Sequence, residues 1–283
     1  MSLSSENPTK SLNEKSVIIN KTEIHLRESD DNIFKWIGQE EVYRLLIASW
    51  LKIDEKDKLM NPVLVGLPGA GKTTLACAAA NEYKLPIYII NCTSDMRPED
   101  LIITPVISND HKIIYRASAL VSAMINGGVC VLDEANRMNE KSWASLAPLL
   151  DDRRYVESII AGVKIKADPE FRLVATMNED ASTYNLPGYI ESRLKPVVTV
   201  KTPTEKEIFD IIQLNIPYAS KELLHSILQY LKSVKDTDDT YEFSIRDAIN
   251  ITKYALKLQR KGELNIEKAA QCIIHSAGAP HVW

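Results

Sequence analysis

Residues 66–73 read Gly-Leu-Pro-Gly-Ala-Gly-Lys-Thr, a full G-x-x-x-x-G-K-[ST] phosphate-binding loop. Such a loop works only between a buried strand and a helix. The flanks offer both: the apolar run Asn61-Pro62-Val63-Leu64-Val65 leads in, and the helix-forming stretch Thr74-Leu75-Ala76-Cys77-Ala78-Ala79-Ala80 leads out. Gly66, Gly69 and Gly71, with Leu67, Pro68 and Ala70 between them, let successive backbone N–H groups turn toward a phosphate chain. The N-terminus of the following helix, opened by Thr74, adds partial positive charge at the same spot. Lys72 is placed to reach β- and γ-phosphates, and the Thr73 hydroxyl to ligate Mg²⁺. Spacing and context set this apart from a Gly-rich turn with a surface lysine, and they predict a nucleoside-triphosphate site.

At 283 residues the chain exceeds what one hydrophobic core usually organises, so two domains are expected. A formal charge of −4 gives no general attraction to nucleic acid or anionic lipid. No apolar run approaches a membrane span, and the polar start Met1-Ser2-Leu3-Ser4-Ser5-Glu6 is not a signal peptide, so the expected compartment is the cytoplasm. Cys77, Cys92, Cys130 and Cys272 form no CxxC pair, and the five histidines show no ligand spacing, which argues against a metal site made by side chains alone. Cys77 and Cys130 read as small buried hydrophobes.

Residues 1–31 are polar, with one alternating stretch over 16–26 that fits either a small hairpin or a flexible arm. Glu40 to Lys52 carries Val42, Leu45, Leu46 and Leu51 at helical spacing. Further buried strands are expected at Pro86–Asn91, Gly128–Leu132, Phe171–Thr176 and Lys195–Val200. Continuous β-branched runs separated by helical stretches predict a parallel sheet covered on both faces. From Thr202 the pattern becomes helix after helix. Thr202-Pro203-Thr204-Glu205 reads as a capping box with Pro at the first helical position. Ser244-Ile245-Arg246-Asp247 opens another helix that stops near Lys261-Gly262, and Asn265 is a candidate cap for a last one. The expected organisation is a polar extension over 1–31, a nucleotide-binding α/β domain over 32–202 and an all-helical domain over 203–283.

Val129-Cys130-Val131-Leu132-Asp133-Glu134 is an apolar strand ending in two acids. Beside a phosphate loop the first acid can hold Mg²⁺ and the second can polarise an attacking water; elsewhere the pair would be a solvated strand end. Thr176-Met177-Asn178 ends the next strand, where an amide can orient that water or sense the γ-phosphate.

Phosphate loop, Asp133-Glu134, Asn178, Arg193 and Arg246 follow one another in an order that resembles the AAA+ ATPases, from about Ile37 to Arg246. Asp133-Glu134-Ala135-Asn136-Arg137 is similar to the D-E-x-N-R of the MoxR group, which includes midasin- and dynein-like relatives. The resemblance implies an αβα domain with a parallel sheet followed by a helical lid, and ATP and Mg²⁺ as cofactors. It implies Ile37 and Gly38 on the adenine side, Asp133 with Thr73 at the metal and Glu134 as catalytic base. Asn178 would be the sensor-1 residue and Arg246 a sensor-2 residue acting in its own subunit. Arg193 would be the arginine finger of a neighbouring subunit, with Arg137, Arg153 and Arg154 as rivals, since Leu194 stands where the family commonly has Phe. Asn91 could restrain Glu134 as the family's polar switch does.

Ile103 to Tyr115 reads as two short strands around a Ser-Asn-Asp turn and resembles the helix-2 insert of MoxR-like proteins. Tyr155 to Ile165, turning at Ala161-Gly162, looks like the hairpin before sensor 1. Ordinary surface hairpins would look the same; in a ring ATPase such hairpins usually face the pore or the client. The resemblance therefore implies an ATP-driven hexameric ring that remodels a protein client, with proteins carrying a von Willebrand factor A domain as candidates. The alternative is the motor of a nucleic-acid-directed, McrB-like complex. Those carry an N-T-A-D-type run where this chain has Asn178-Glu179-Asp180-Ala181-Ser182, and the acidity also argues against it. A stand-alone kinase would leave the lid, Arg193 and Arg246 without a purpose.

Overall fold

Alternating contact with two cores organises the first half of the chain. The computed structural model describes residues 15–30, 34–179, 186–237, 244–263 and 265–274. The first 14 residues, and Asp180-Ala181-Ser182 of the run after Asn178, lie outside the described residues.

A hairpin of β1 (Ser16–Ile19) and β2 (Thr22–His25) comes first, then α1 (Glu40–Ser49). The phosphate loop joins β3 (Val63–Gly66) to α2 (Lys72–Glu82), and β4 (Ile87–Asn91) follows. A one-turn α3 (Pro98–Leu101), β5 (Ile103–Ile107), β6 (Ile113–Ala117) and α4 (Ala119–Asn126) lead to β7 (Val129–Asp133). After α5 (Glu140–Leu146) come β8 (Tyr155–Ser158), β9 (Val163–Lys166), β10 (Arg172–Asn178), α6 (Gly188–Glu191) and β11 (Val197–Thr199). Helices α7 (Glu205–Asn215), α8 (Lys221–Thr237), α9 (Ile245–Arg260) and α10 (Ile266–Ile274) follow.

The strands expected from the apolar runs form one sheet in the order β11-β3-β10-β7-β4, every pairing parallel. Period-two alternation divides it between its faces: Leu173, Ala175, Cys130 and Leu132 enter a core with α4, whereas Val174, Val129 and Val131 enter another with α1 and α2. Burial on both faces explains why these strands read as continuous apolar runs. Cys77 and Cys130 are both buried, and desolvation pushes the Cys77 thiol up to about 12, so they serve as small apolar side chains. A third core lies wholly within α7–α10, around Ile212, Leu224, Ile227, Ile251 and Ala255.

The 16–26 stretch forms the hairpin, and its strand β2 runs parallel to β6. The N-terminal hairpin and the β5–β6 hairpin thus make a second sheet, β1-β2-β6-β5, between α3 and α4. The β8–β9 hairpin turns through residues 159–162, with Gly162 at φ 64°.

Two local expectations change. Helix α1 ends at Ser49, not Lys52, and its packed stripe runs through Val42, Leu46, Ile47 and Trp50. Leu45 lies off that stripe and Leu51 beyond the helix end, and they stand 51% and 54% exposed. The cap of α7 is Thr204, whose hydroxyl accepts from the Glu207 N–H while the Glu207 carboxylate accepts from the Thr204 N–H. The box is shifted two residues from Thr202–Glu205, and Pro203 precedes the cap instead of opening the helix. Ser244 caps α9 in a box with Asp247, and the Asn265 side chain accepts from the Lys268 N–H at the start of α10.

Candidate functional site

Parallel register brings the carboxyl ends of the central strands level: Asn178 pairs with Gly66, and Asn91 with Asp133. Side chains at these ends therefore converge beside the phosphate loop. They open on a cleft of about 810 Å³ that is closed from the other side by α7 and α9. Pro68, Gly69, Gly71, Lys72, Thr73 and Thr74 form one wall, and Asp133, Glu134, Thr176 and Asn178 the floor. Phe34, Trp36 and Ile37 close the end beside α7, and Arg246 joins Asn250 and Lys253 on the α9 side.

The loop is shaped by its glycines. Gly69 has φ 78° and Gly71 φ 89°, a region open to glycine and strained for other residues. A Cβ at Gly71 would lie 3.1 Å from the Trp36 ring, and one at Gly69 only 2.6 Å from Ser244 Cβ, so the α9 cap rests directly on the loop. Gly66, Leu67 and Ala70 are absent from the cleft lining, and Leu67 and Ala70 face a neighbouring depression with Ser244 and Asp247. The Lys72 ammonium is buried and donates to the carbonyls of Gly66 (2.9 Å) and Leu67 (2.8 Å) and to Asn178 Oδ1 (2.8 Å). Those contacts hold a cation at the mouth of a cradle of backbone N–H groups, which suits a phosphate chain.

Asp133 Oδ1 accepts from the Thr73 hydroxyl at 2.6 Å and from the Thr176 hydroxyl at 2.5 Å. Thr176 in turn accepts from the Glu134 N–H at 3.1 Å. A hydroxyl and a carboxylate oxygen side by side are the hard oxygen donors that Mg²⁺ selects. Thr176 is the residue that reading the sequence missed; its signal was only its place two residues before Asn178 at a strand end. Glu134 adopts φ 54°, ψ 41°, a left-handed conformation costly for a glutamate, at the start of a 3-10 turn over Ala135–Arg137. Its Oε1 lies 3.4 Å from the Asn178 amide nitrogen, and its Oε2 is paired with Arg137 Nε at 2.8 Å. The Asn136 amide donates to the Asn178 carbonyl at 3.0 Å. Asn91, the candidate switch, is exposed at the end of its strand, and the contacts made by the Glu134 carboxylate come from Asn178 and Arg137.

Comparison with known proteins fits this geometry. Residues 61–194 match the AAA domain of the dynein-related subfamily. The chain is 30% identical over 162 residues to the denitrification regulatory protein NirQ of Pseudomonas aeruginosa, spanning 57% of each chain. It is 28% identical over 163 residues to the protein NorQ of Paracoccus denitrificans, covering 57% of this chain and 55% of that one. The chain therefore spans little more than half the length of these relatives. Residues 61–194 thus carry an AAA domain of the dynein-related subfamily, and the chain is similar to the MoxR-like proteins NirQ and NorQ. Among solved structures, RuvB of Thermotoga maritima superposes with a TM-score of 0.57 at 20% identity, over 85% of this chain and 70% of that one. NtrX of Brucella abortus, solved with ADP, does so with a TM-score of 0.60 at 16% identity, over 87% and 57%. Both show the shared AAA+ fold.

Two expected residues of the AAA+ site lie elsewhere. Gly38, at φ 79°, packs against Glu207 of α7, and the neighbouring Gln39 N–H donates to that carboxylate at 2.9 Å. Gln39 also exchanges hydrogen bonds with the backbone of Lys201. Ile37 faces the cleft, whereas Gly38-Gln39 fastens this segment to the helical domain. Arg193 stands outside the cleft, beside a shallow depression it shares with Asn61, Asp151 and Arg153. Its guanidinium donates to the Tyr189 carbonyl, and Nε lies 3.4 Å from Asp151 Oδ2. Arg153 grips both oxygens of the same carboxylate, at 3.0 and 2.8 Å. Arg153, then desolvation opposing it, then Arg193 act on Asp151, and its pKa settles at about 2, so it stays charged across the physiological range. Of the remaining rivals, Arg154 is half-buried and donates to the Phe171 carbonyl at 2.7 Å, and Arg137 is engaged by Glu134 of its own chain. Among the described residues no helix is long and apolar enough to cross a membrane.

Proposed function

We propose that this AAA+ chain hydrolyses Mg²⁺-bound ATP in a ring, hexameric by analogy, whose active sites are shared between subunits, and that the ring remodels a protein client. The observation that carries the reading is the division of parts. Lys72, Thr73, Asp133, Glu134 and Asn178 meet in one cleft, while Arg193 stands outside it, held by Asp151.

Lys72 neutralises charge on the phosphates and exchanges carbonyl partners for phosphate oxygens. Thr73 and Asp133 hold the metal, which supplies charge neutralisation for the transferring phosphoryl group. Glu134 takes the proton of the attacking water, and Asn178 orients that water between its own amide and the Glu134 carboxylate. Arg246 faces the same cleft from the first turn of α9 and ties the lid to the bound phosphates. Arg193 reaches the nucleotide of the next subunit, where an arginine finger is worth roughly 10³–10⁵ in rate.

A client role is supported by exposed apolar side chains at two neighbouring hairpin tips. Ile159 is 93% exposed on the β8–β9 turn, and Ile107 and Ile113 are 74% and 66% exposed on β5 and β6. The Tyr115 hydroxyl of β6 reaches the Ile160 carbonyl at 3.5 Å, which sets the hairpins side by side. A protein with a von Willebrand factor A domain is the proposed client, a proposal that rests on the MoxR-like resemblance.

The test is Glu134→Gln with native mass in parallel. MgATP binding and ring mass should be retained while hydrolysis falls by roughly 10²–10⁴-fold, the range for losing a general base. Wild-type turnover by Glu134→Gln would exclude the base. A chain that stays monomeric with and without nucleotide would exclude the ring.

A further inference from the structure

We infer that Arg137 is a positioning residue for catalysis: it fixes one oxygen of Glu134 so that the other faces the water held at Asn178. This rests on the reading of Glu134 as general base.

The two oxygens of Glu134 have separate surroundings. Oε1 points to the Asn178 amide at 3.4 Å, and both residues line the cleft. Oε2 is paired with Arg137 Nε at 2.8 Å, and Arg137 is absent from the cleft lining. A carboxylate bound through one oxygen keeps lone pairs on the other, so the pair restrains the group without occupying its working atom. Restraint is needed here, because Glu134 starts from a left-handed backbone at φ 54° and its side chain is 41% exposed. Without a partner on Oε2 a side chain this exposed is free to sample several rotamers.

The local fold makes the pair. The left-handed Glu134 reverses the chain, and the 3-10 turn Ala135–Arg137, closed by the Arg137 N–H on the Glu134 carbonyl at 2.9 Å, brings position 137 back over position 134. Asn136 anchors the same turn to the Asn178 backbone at 3.0 Å. One three-residue turn thus ties the base on one side to Arg137 and the sensing strand on the other to Asn136. In the reaction the water O–H bond breaks toward Glu134 Oε1. A P–O bond forms to the γ-phosphorus as the bridging P–O bond to the leaving diphosphate breaks. The proton ends on Oε1, while Oε2 keeps its guanidinium throughout.

The experiment compares Arg137→Ala, Arg137→Lys and Glu134→Gln, alone and combined. Arg137→Ala should lower kcat by about 10–100-fold, the scale of a displaced catalytic group, with MgATP affinity and Tm near wild type. Arg137→Lys should recover part of the loss. In the Glu134→Gln background Arg137→Ala should cost nothing further, because the group it positions is already gone. In the nucleotide-free protein the Arg137 Nε–H should give an NMR signal protected from solvent exchange, and Glu134→Gln should remove that protection. Wild-type kcat in Arg137→Ala, or a full multiplicative loss in the double variant, would overturn the inference. So would recovery of Arg137→Ala by mixing with Lys72→Ala subunits, which would make Arg137 act on a neighbour. An active Glu134→Gln would instead sink the base reading itself, so the two failures are distinguishable.

Discussion

The cleft and the Arg193 face hold their charges in opposite ways. In the cleft, the Lys72 cation sits on backbone carbonyls and Asn178, and the Asp133 anion on two hydroxyls. Those partners are neutral, so an incoming phosphate or metal can replace them without leaving a bare charge behind. On the other face, two guanidiniums share the single carboxylate of Asp151. Across the depression Asp151 and Asp152 stand against Arg153, Arg193 and Lys195, which leaves one positive charge in excess. The first arrangement is complete within one chain except for its ligand. The second makes chemical sense when an anion arrives from outside, which is what a shared active site supplies.

The sharpest way to break this contrast is Arg193→Ala. Its kcat should fall roughly 10³–10⁵-fold while nucleotide affinity stays near wild type, measured by titration of nucleotide in parallel with turnover. Loss of affinity instead would move Arg193 functionally into the cleft. Thr176→Val tests the interior partners of the cleft. It removes the hydroxyl that joins Asp133 to the Glu134 N–H, and an orphaned buried partner costs about 1–3 kcal/mol. Turnover should drop accordingly even in forced mixtures with intact subunits, and recovery on mixing would contradict it. Gly69→Ala should weaken nucleotide binding through strain of about 1–2 kcal/mol and through collision with Ser244, read as a shift in affinity. The smallest effect belongs to Ser244→Ala, which removes the α9 cap. About 1 kcal/mol of helical-domain stability should be lost, read by chemical denaturation, with kcat changed less than in any cleft variant.

How much the sequence disclosed follows the same division. The sheet was legible because both faces of β7 and β10 are buried and their runs are unbroken. The phosphate loop and Asp133-Glu134 were legible because their spacing is dictated by backbone chemistry. The outer stripe of α1 was misread because Leu45 is apolar yet points to solvent; one helix period cannot separate a packed leucine from an exposed one. The Thr204 cap was misplaced because Thr202 and Thr204 both carry a capping hydroxyl, and only the reach of Glu207 decides between them. Thr176, and the pairing of Arg137 with Glu134, were hidden for another reason. Their importance lies in hydrogen bonds and an ion pair set by a left-handed Glu134, a conformation no glutamate announces. Nor did the alternating stretch at 16–26 reveal that β2 would pair with β6, since that partner lies some ninety residues away.

The shared-site proposal is tested most directly by mixing two inactive variants. Lys72→Ala lacks a working nucleotide site and keeps Arg193; Arg193→Ala has the reverse defect. Under conditions of subunit exchange, a mixed ring sets an intact cleft against an intact Arg193. Activity should then reappear, rise with the mixing ratio to a maximum and grow with total protein concentration. No recovery at any ratio, with mixed rings verified by native mass, would contradict the proposal and leave Arg193 as a residue of its own subunit.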